Sequence, residues 1–495
     1  MFYINSDPEE IREWLKYVIK APSTLVPAIT KTAEFKELVA RAIEDQTFHV
    51  NTGVSQLPDL NDSEVQSLWS GCKWNTDVIR YSFNSTIPEE YQSNPELTDH
   101  WQPFSEEDKQ IVREIFEDIS KFTSLKFEEV QEDGDIRFNK VDMTDANGFA
   151  FYPPYADFLN TPEAGDIWLS NEYDDYGNAP GTFGYYTILH EIGHALGLKH
   201  PFEGYPVLSE DNDDTLHTIM SYTPKQTLTF DYSLTLSSKD PVYTCNIYFL
   251  PVAFPDNYQL YDMMALQAIY GANTEANTGN DIYRVSDLYR EHKHQVIWDA
   301  GGIDTIDASD TTHPDYIDLR DGIFSSIDIH PVSEQIDDAL NYFLQNIQEI
   351  QGNEVSYQQY QQISSWLNNE FSDPAVSEDI YTGERNLAIA KGTIIENAIT
   401  GSGNDIVVDN EWNNIISTNR GDDIVYIWEG GFDIINGDEG QDTVVVGFPY
   451  AESEIKYLGD DMWYISDRER NSTVLLVGVE HIKFEDGISI LYSEV

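Results

Sequence analysis

Apolar residues recur at every third or fourth position in several stretches of the chain, and this spacing predicts amphipathic helices. Residues 1–60 form a predicted helical leader, with one helix that starts near Asp7 and Pro8 and a second over residues 32–44. A long helix is predicted over residues 105–122, because Ser105 is a favourable helix start and an apolar side follows it. That side consists of Ile111, Ile115, Phe116 and Ile119.

Short apolar runs after this helix predict strands instead. They lie at residues 125–129, 136–138 and 165–170. A mixed sheet combined with long helices is an α/β or α+β arrangement. We expect that arrangement for the part of the chain before residue 274.

Beyond residue 273, glycine–aspartate turns separate short β-branched runs. One polar position recurs at intervals of nine, nine, ten and nine residues, at Asp405, Asn414, Asp423, Asp433 and Asp442. An aliphatic residue follows two positions after each, at Val407, Ile416, Val425, Ile435 and Val444. This is the G-G-x-G-x-D-x-U-x repeat, which winds a parallel β-roll with aliphatic residues inside and calcium at the turns. The sequence therefore predicts an all-β parallel β-roll domain.

The repeats depart from this pattern in a regular way. Alternate turns, at residues 400–405, 418–423 and 437–442, keep the inner glycine and the final aspartate. Of the turns between them, residues 409–414 lack glycine and end in an amide, and residues 428–433 carry an extra residue. Because two repeats make one coil, the intact turns should stack on one edge, and we expect the opposite edge to bind calcium weakly or not at all. The expected calcium residues are Gly401, Gly403, Asp405, Gly421, Asp423, Gly440 and Asp442.

Residues 328–380 interrupt this region with apolar residues at helical spacing. They predict a helical hairpin inserted between the turns, and we expect it to pack on the roll. Its many glutamine and asparagine residues leave a substrate or partner contact open as the alternative.

The 495-residue chain carries 88 acidic and 28 basic residues, a formal net charge of −60. A surface of this charge repels phosphate backbones and anionic membranes, which excludes nucleic acid as a partner. It suits either the binding of many hard cations or solubility in salt. Cys72 and Cys245 are the only cysteines, so no disulfide framework is predicted. We expect neither a secretory signal peptide nor a membrane span.

The most specific chemical pattern is the run H-E-I-G-H-A-L-G-L-K-H at residues 190–200. On a helix, His190 and His194 project from the same face, where their ring nitrogens can meet one Zn²⁺. Glu191 lies beside them, and Gly197 lets the backbone turn so that His200 returns as a third ligand. Three protein ligands leave one coordination position open, which is typical of a catalytic zinc site.

The pattern H-E-x-x-H-x-x-G-x-x-H is the signature of the metzincin metalloproteases. Downstream, the run T-I-M-S-Y at residues 218–222 resembles their Met-turn, with Met220 as an apolar floor beneath the metal. Pro201 and the Met-Ser-Tyr sequence narrow the resemblance to the serralysins, secreted bacterial zinc endopeptidases with a calcium-binding repeat domain. Residues 68–83 and 260–273 resemble the first strand and the closing helix of that family's catalytic domain.

The resemblance implies three parts. Residues 61–273 would form a metzincin catalytic domain, and residues 274–495 a calcium-binding repeat (RTX) β-roll domain with the helical insertion. Residues 1–60 would be a pro-segment or a permanent helical addition. In this family the strand at residues 165–170 is expected to be a sheet edge along which an extended substrate pairs.

The resemblance also places calcium at the junction between the two domains. Tight turns at residues 277–281 and 298–304 look like the junction sites of the serralysins, as does one glutamate further on. Asn277 departs from the family, which often has an arginine there. The implied ligands are Gly279, Asp281, Asp299, Gly301, Gly302, Asp304 and Glu396.

The function implied by the motif and the resemblance is a secreted zinc endopeptidase. One Zn²⁺ on His190, His194 and His200 polarises the scissile carbonyl and lowers the pKa of its water. Glu191 is the expected general base, and Tyr222, a displaceable zinc ligand in the family, is expected to stabilise the oxyanion. The expected partners are protein or peptide substrates and a proteinaceous inhibitor. We also expect several structural Ca²⁺ ions, a monomer, and export in one step to the outside of the cell, where calcium binding and folding coincide.

The sequence leaves three other hypotheses open. The chain is a latent precursor whose leader covers the zinc, or a calcium-stabilised binding protein with a silent protease site. Alternatively, it is a metalloprotease aimed at one host protein, for which the insertion is the only sign. The presence of every zinc ligand and of the base argues against a lost site.

Overall fold

The structure, a computed structural model, describes residues 8–20, 33–44, 47–143, 146–155, 161–173, 177–236, 243–459, 461–467 and 469–491. The helix start expected at Asp7, the expected helical residue 32 and the last residues of the chain, 492–495, lie outside these ranges. The helices are α1 (Pro8–Lys20), α2 (Ala33–Glu44), α3 (Ser63–Leu68), α4 (Pro95–Thr98), α5 (Glu106–Phe122), α6 (Phe183–Ala195), α7 (Leu260–Tyr270), α8 (Leu288–Glu291), α9 (Val332–Gln351), α10 (Tyr357–Glu370) and α11 (Pro374–Ser377).

The strands fall into an N-terminal and a C-terminal group. The first group is β1 (Val78–Phe83), β2 (Lys126–Val130), β3 (Ile136–Val141), β4 (Gly148–Ala150), β5 (Ile167–Ser170), β6 (Thr229–Leu236) and β7 (Tyr243–Leu250). The second is β8 (Ile282–Arg284), β9 (Gln295–Ile297), β10 (Thr305–Asp307), β11 (Tyr316–Asp318), β12 (Phe324–Ser325), β13 (Leu387–Ile389), β14 (Asn397–Ile399), β15 (Ile406–Val408), β16 (Ile415–Ser417), β17 (Ile424–Ile427), β18 (Gly431–Asn436), β19 (Thr443–Val446), β20 (Glu454–Gly459), β21 (Met462–Asp467), β22 (Ser472–Val477), β23 (His481–Phe484) and β24 (Ser489–Leu491).

A five-stranded sheet with the order β2-β1-β3-β5-β4 lies at the centre of the N-terminal half. Its strands are parallel except for β4, which runs antiparallel to β5. Helix α5 packs against this sheet, and its predicted apolar side is buried in the same core. The Ser105 side chain accepts a hydrogen bond from the Asp108 N–H, and Asp108 accepts one from the Ser105 N–H. This capping box explains why the helix starts where the sequence predicts.

The prediction that residues 165–170 form the sheet edge along which a substrate pairs was wrong. Strand β5 occupies that position but lies between β3 and β4, so the edge of the sheet is β4. All four residues of β5 are buried, and a continuous apolar run is typical of an interior strand. Strand β4 has three residues, one of them a glycine, and shows no alternating pattern that could have revealed it.

The C-terminal half contains an eight-stranded sheet, β20-β21-β22-β18-β16-β14-β10-β8, and a six-stranded sheet, β11-β15-β17-β19-β23-β24. We call them together the two-sheet region. From β14 to β19 successive strands alternate between the sheets and pair in parallel with the strand one coil away, as Ile406 does with Ile424. The five aliphatic residues of the repeats are all buried in one cluster between the sheets. One coil therefore comprises two repeats.

Helices α1 and α2 pack on the outer face of the eight-stranded sheet. Trp14 shares a buried cluster with Phe432 and Leu475 of that sheet. The chain after α2 continues along the same region, where the Asn413 N–H donates to the His49 carbonyl oxygen at 2.8 Å. These contacts of the described leader residues lie on the two-sheet region, so a leader that covers His190, His194 and His200 is not favoured.

Helices α9 and α10 form the predicted hairpin, but the expectation that it packs on the roll was wrong. Their apolar faces share a cluster with β6 and β7, which form a separate antiparallel two-stranded sheet. Phe343 is fully buried there, with its ring centroid 5.9 Å from that of Tyr232. Sequence reasoning missed both strands, although apolar and polar residues alternate from residue 228 to 236. Without them, the partner of the helical hairpin was not predictable.

The core of the N-terminal half extends beyond residue 273. Trp298 and Ala388, from the segments around β9 and β13, are buried in the same cluster as α6 and β5. Packing is thus continuous across the predicted limit between residues 273 and 274, and the domain limits stay predictions.

Two further observations concern the cysteines and the bilayer. Cys72 is buried, Cys245 is half-buried, and the two thiols are unpaired. Within the described ranges, no helix combines the length and the apolar character that crossing a bilayer requires.

Candidate metal and catalytic site

Helix α6 carries the first two histidines and is buried along its whole length. Its C-terminal end is fixed by Trp74, whose Nε1 donates to the Ala195 carbonyl oxygen at 2.9 Å. Gly197 follows with a φ of 101°, and a Cβ there would lie 2.3 Å from the Cys72 carbonyl oxygen. Only glycine fits this turn, which sends the chain back toward the helix.

The turn brings His200 to the two histidines of the helix. The Nε2 atom of His200 lies 3.2 Å from that of His190 and 3.1 Å from that of His194. The Nδ1 atoms of His190 and His194 each lie 2.8 Å from a backbone carbonyl oxygen, those of Ile219 and Leu198. A carbonyl oxygen can only accept, so each Nδ1 carries the proton and each Nε2 offers a lone pair to the shared centre.

The three histidines fit a zinc ion. Burial, together with the smaller effect of the neighbouring histidines, lowers the pKa of His190 to about 4 and that of His194 to about 3. Neutral imidazole is the form that ligates a metal. One ring nitrogen from each histidine lies within 4.8 Å of the others, a donor set that suits Zn²⁺.

Glu191 lies between this centre and the sheet edge. Its Oε2 atom is buried and has no hydrogen-bond partner among the described residues. Burial raises the pKa of Glu191 to about 8. A Cβ on Gly148 of β4 would lie 2.9 Å from Glu191 Oε1, so the carboxylate rests directly against the edge strand. One carboxylate oxygen is therefore available to a water molecule or a substrate group.

Met220 lies beneath the histidines. It is fully buried, and a Cβ on Gly193 would be 2.7 Å from its sulfur. The turn that carries it is held by Asp262 of α7, which accepts hydrogen bonds from the Thr218 hydroxyl at 2.6 Å and the Ile219 N–H at 2.8 Å. Burial raises the pKa of Asp262 to about 7. Sequence reasoning gave Asp262 no role, although it is the one charged residue in an apolar helix.

Tyr222 lies at the mouth of the cleft. Its ring centroid is 4.6 Å from that of His200 and 5.7 Å from that of His190. The side chain is 66% exposed, yet partial burial and the nearby Glu191 carboxylate raise its pKa. The structure thus brings Tyr222 to the same centre as the three histidines.

A cavity of about 410 Å³ opens beside Glu191. It is bounded by Gly148 of β4, by Phe183 at the start of α6, and by Tyr222 and Phe254 after the Met-turn. Apolar rings form much of its wall, with the carboxylate and His190 at one side. The cavity suits an apolar side chain of a ligand that lies along β4.

Lys199 is a positioning residue that sequence reasoning missed. Its Nζ donates to the carbonyl oxygens of Ser67 at 2.5 Å, Glu203 at 2.6 Å and Pro206 at 3.1 Å. Burial lowers the pKa of Lys199. The side chain ties the loop after His200 to helix α3 and so fixes the third histidine.

The repeated aspartates form a ladder along one edge of the two-sheet region, which we call the first edge. The Asp405 N–H donates to Asp423 Oδ1 at 2.7 Å, and the Asp423 N–H donates to Asp442 Oδ1 at 3.1 Å. The Oδ2 atom of each is buried without a partner among the described residues. Burial raises all three pKa values, to about 8 for Asp423 and about 7 for Asp442. Such a row of carboxylate oxygens suits Ca²⁺.

The glycines of these turns also fit the prediction of calcium cradles. A Cβ on Gly421 would lie 1.7 Å from the Gly403 carbonyl oxygen, and one on Gly440 would lie 1.7 Å from that of Gly421. A Cβ on Gly401 would lie 2.2 Å from the Thr311 hydroxyl oxygen of the preceding coil. Only glycine lets successive turns stack this closely, with their carbonyl oxygens beside the carboxylates.

The ladder continues further than predicted. The Asp315 N–H donates to Asp405 Oδ1 at 2.8 Å, and the Asp442 N–H donates to Glu480 Oε2 at 2.9 Å. Both additional acids stand two positions before a buried aliphatic residue, Ile317 or Ile482. The signal was present in the sequence, but the insertion separates Asp315 from the other repeats.

A second ladder lies at the junction between the two halves. The Asp281 N–H donates to Asp304 Oδ1 at 2.7 Å, and the Asp304 N–H donates to Glu396 Oε2 at 2.8 Å. Asp304 Oδ2 and Glu396 Oε1 are buried without partners among the described residues. A Cβ on Gly302 would lie 1.7 Å from the Gly279 carbonyl oxygen. The arrangement is that of the first edge.

Asp299 and Gly301 belong to the junction site but make further contacts. One carboxylate oxygen of Asp299 lies within 4.8 Å of one from Asp281 and one from Asp304. Asp299 accepts hydrogen bonds from the Gly301 N–H at 2.8 Å and the Tyr283 hydroxyl at 2.5 Å. A Cβ on Gly301 would lie 2.0 Å from the Thr52 carbonyl oxygen. Gly301 therefore makes room for the chain that follows the leader helices, which is a packing role in addition to any calcium role.

Amide side chains occupy the opposite, second edge of the two-sheet region. Asn414 Nδ2 donates to the Glu396 carbonyl oxygen at 2.9 Å, and Asn410 Nδ2 donates to the Ile395 carbonyl oxygen at 2.8 Å. These N–H groups donate to carbonyl oxygens of the neighbouring coil, one of which, that of Glu396, also accepts from the Ile415 N–H at 3.3 Å. One carboxylate on this edge, Asp433, keeps a buried Oδ2 without a partner among the described residues.

Known proteins resemble this chain over parts of its length. A family model described as "Peptidase M10 serralysin C terminal" matches residues 261–355 and 350–462. A serralysin of Proteus mirabilis is 30% identical over 289 residues, which cover 51% of this chain and 54% of the relative. Over residues 261–462 the chain is therefore similar to the C-terminal domain of the serralysin family.

Further serralysin relatives match at lower identity. Metalloprotease AprA of Pseudomonas entomophila is 26% identical over 70% of this chain and 61% of its own length. A serralysin of Photorhabdus laumondii is 25% identical over 67% of this chain and 58% of its own length. The chain thus spans less than two thirds of the length of these relatives. A solved structure of myroilysin matches at 15% identity with a TM-score of 0.24, over 42% of this chain and 98% of that chain.

Proposed function

We propose that this chain is a member of the serralysin family, a zinc-dependent endopeptidase joined to a calcium-binding parallel β-roll. The observation that carries the proposal is the convergence of three imidazole nitrogens beside the unpartnered carboxylate of Glu191. Zinc, when bound, supplies a Lewis acid that polarises a carbonyl oxygen and acidifies a water molecule. Because His190, His194 and His200 supply only three ligands, one coordination position of a bound zinc would stay open for such chemistry.

The substrate would bind as an extended peptide along β4. That strand is the outermost of its sheet among the described residues, so its outer side is available for backbone hydrogen bonds. Gly148 of β4 touches Glu191, which places the peptide backbone next to the carboxylate. The cavity of about 410 Å³ would then hold one apolar side chain of the substrate.

Glu191 and Tyr222 would then divide the work of catalysis. Glu191 accepts a proton from the attacking water and delivers it to the leaving amine. The burial that raises its pKa to about 8 makes the carboxylate a stronger base than an exposed glutamate. The Tyr222 hydroxyl donates a hydrogen bond to the carbonyl oxygen as negative charge develops there.

The two-sheet region would be a β-roll that folds when calcium binds. The unpartnered carboxylate oxygens of the first edge and the junction support this, because buried acids without a cation destabilise the folded chain. A low calcium concentration would then keep the region unfolded, and calcium outside the cell would fold it. This coupling supports a secreted, extracellular protease.

A latent or silent site is not the favoured alternative. The described leader residues pack on the eight-stranded sheet, and Tyr222 is exposed at an open cleft. Both observations support a cleft that is accessible without removal of the leader.

The test compares hydrolysis of an unfolded protein by wild type and by Glu191→Ala, in calcium and zinc. We expect turnover to fall about 10²- to 10⁴-fold, the range for loss of a general base, while bound zinc is unchanged. Glu117→Ala, which removes an exposed carboxylate from α5, is the matched control and should keep full activity. Equal activity of Glu191→Ala and wild type would refute the proposed role, as would an inactive wild type that holds zinc.

A further inference from the structure

We propose that His313, His330 and Glu334 form a second transition-metal site, of the type that binds Zn²⁺, which anchors the start of helix α9 to the two-sheet region. One ligand atom from each residue lies within 4.8 Å of the other two. His313 Nε2 is 3.1 Å from Glu334 Oε1, and the two imidazole centroids are 3.6 Å apart. Two imidazoles and a carboxylate are a common ligand set for zinc.

The ligands come from three segments that the fold brings together. His313 lies in the turn before β11, His330 follows β12, and Glu334 stands in the first turn of α9. The backbone fixes the two histidines, since the His313 N–H donates to Asp328 Oδ1 at 3.2 Å and the His330 N–H donates to the Thr382 carbonyl oxygen at 2.8 Å. The site is therefore built on a framework that does not depend on the ion.

The Asp328 carboxylate contacts both rings. It lies 3.4 Å from His313 Nδ1 and 3.2 Å from His330 Nε2. With those two nitrogens occupied, His313 Nε2 and His330 Nδ1 are the ring nitrogens left for a metal. A carboxylate behind a ligating histidine fixes the tautomer and raises the basicity of the ligand. The Tyr289 ring stacks on His330 at 3.8 Å and holds its plane.

The ligand atoms are close enough for one ion to bind all three. One atom each from His313, His330 and Glu334 lies within 4.8 Å of the other two, and the two imidazole centroids are 3.6 Å apart. The four side chains are between 16 and 43% exposed, so an ion can enter from solvent.

The site would serve the insertion. The helical hairpin packs on β6 and β7, and α9 has no side-chain cap at Pro331. A metal that joins Glu334 to His313 and His330 would fix the first turn of α9 to the turns beside β11 and β12. The insertion would then hold a constant position relative to the first edge.

The test uses the full chain with His190→Ala and His194→Ala, which removes the histidine pair of α6 so that any zinc that remains reports on other sites. The protein is loaded with Zn²⁺ in excess calcium, passed through a gel-filtration column and analysed for zinc by mass spectrometry. We expect about one zinc per chain, and at least about 10-fold weaker binding when Glu334→Gln or His313→Ala is added. His100→Ala, which removes an exposed histidine that also faces an aspartate, is the control and should change nothing.

Glu334→Gln keeps the size of a half-exposed side chain, so it tests the site even if His313→Ala fails to fold. Hydrogen exchange of the first turn of α9 should slow on addition of zinc in the background variant and not in Glu334→Gln. Absence of bound zinc in the background variant would overturn the proposal. Zinc binding that is indifferent to both substitutions would do the same. Neither result depends on proteolytic activity.

Discussion

The two edges of the two-sheet region stabilise their turns with different side chains. Each turn presents backbone carbonyl oxygens that need a positive partner. On the first edge, Asp405, Asp423 and Asp442 leave buried carboxylate oxygens without partners among the described residues, an arrangement that a cation would stabilise. On the second edge, Asn410 and Asn414 donate amide N–H groups to the carbonyl oxygens themselves.

The difference indicates two ways to stabilise turns of one repeat pattern, a bound ion or the amide N–H groups of asparagine side chains. An amide supplies its hydrogen bonds at any calcium concentration, whereas a bound cation would stabilise a row of ionised carboxylates. We therefore expect calcium dependence to be concentrated on the first edge and at the junction ladder of Asp281, Asp304 and Glu396.

The largest expected effect is that of calcium removal. A chelator should lower the free energy of unfolding by about 2.7 kcal/mol for each site that had been held at 100 times its Kd. Denaturant unfolding followed by tryptophan fluorescence and by circular dichroism measures this loss. Hydrogen exchange should show that β15, β17 and β19 lose protection. Two results would contradict the comparison: an equal loss of protection on both edges, or a loss of protection that begins in the amide turns at residues 409–414.

Reciprocal substitutions sharpen the comparison next. Asp423→Asn should destabilise the protein in calcium, because it removes a ligand, and stabilise it in chelator, because it removes a buried acid. Asn414→Asp should destabilise it by about 1–3 kcal/mol in both conditions, because Asn414 donates to Glu396 and Asn410 and a carboxylate cannot. Urea unfolding with and without calcium measures both effects. The test is whether calcium reverses the sign of the stability change for Asp423→Asn and leaves that of Asn414→Asp unchanged. If calcium restored the stability of Asn414→Asp, the second edge would also bind the ion.

Asp433 gives a smaller effect that depends on pH. Burial and the nearby Asp409 raise the pKa of Asp433 far above its usual value, so the folded chain binds a proton that the unfolded chain releases. This contribution is complete below the unfolded pKa and is lost as pH rises, by up to about 1.4 kcal/mol per pH unit. In calcium buffer, Asp433→Asn should remove that slope between pH 5 and pH 8. An unchanged slope would indicate that Asp433 is already ionised beside a cation.

The smallest effect is expected for the surface of the first edge. Arg420 and Glu439 form an ion pair of 3.1 Å between neighbouring turns, with 69% and 71% of their side chains exposed. Exposed pairs contribute little to stability because water and salt screen them. Arg420→Ala should change the free energy of unfolding by less than about 0.5 kcal/mol with calcium present. A larger loss would mean that this pair, and not the ion, holds the turns together.

The sequence predicted those features that repeat or that carry a specific motif. The aliphatic positions from Val407 to Val444 define the inside of the two-sheet region, and the spacing of the zinc motif placed its three histidines together. Asn414 was correctly singled out as a departure, but its hydrogen bonds were not predictable, because they depend on which carbonyl oxygens the neighbouring coil presents.

The features that sequence reasoning missed depend on contacts between distant segments. The leader packs on β18 and β22, although nothing in its own apolar stripe identifies that partner. Strand β4 became the sheet edge through pairing with β5 after a long intervening loop. Asp262 supports the Met-turn from 43 residues away, where only the three-dimensional structure reveals the contact.

Reconstitution from the metal-free chain tests the central claim most directly. The chain is stripped of metals with chelator, and hydrolysis of an unfolded protein is then measured with zinc alone, calcium alone, both ions and neither. The account predicts turnover above background only with both ions, because zinc serves the three histidines and calcium folds the region that packs against their domain. Undiminished turnover with calcium alone, in a preparation shown to be free of zinc, would contradict it.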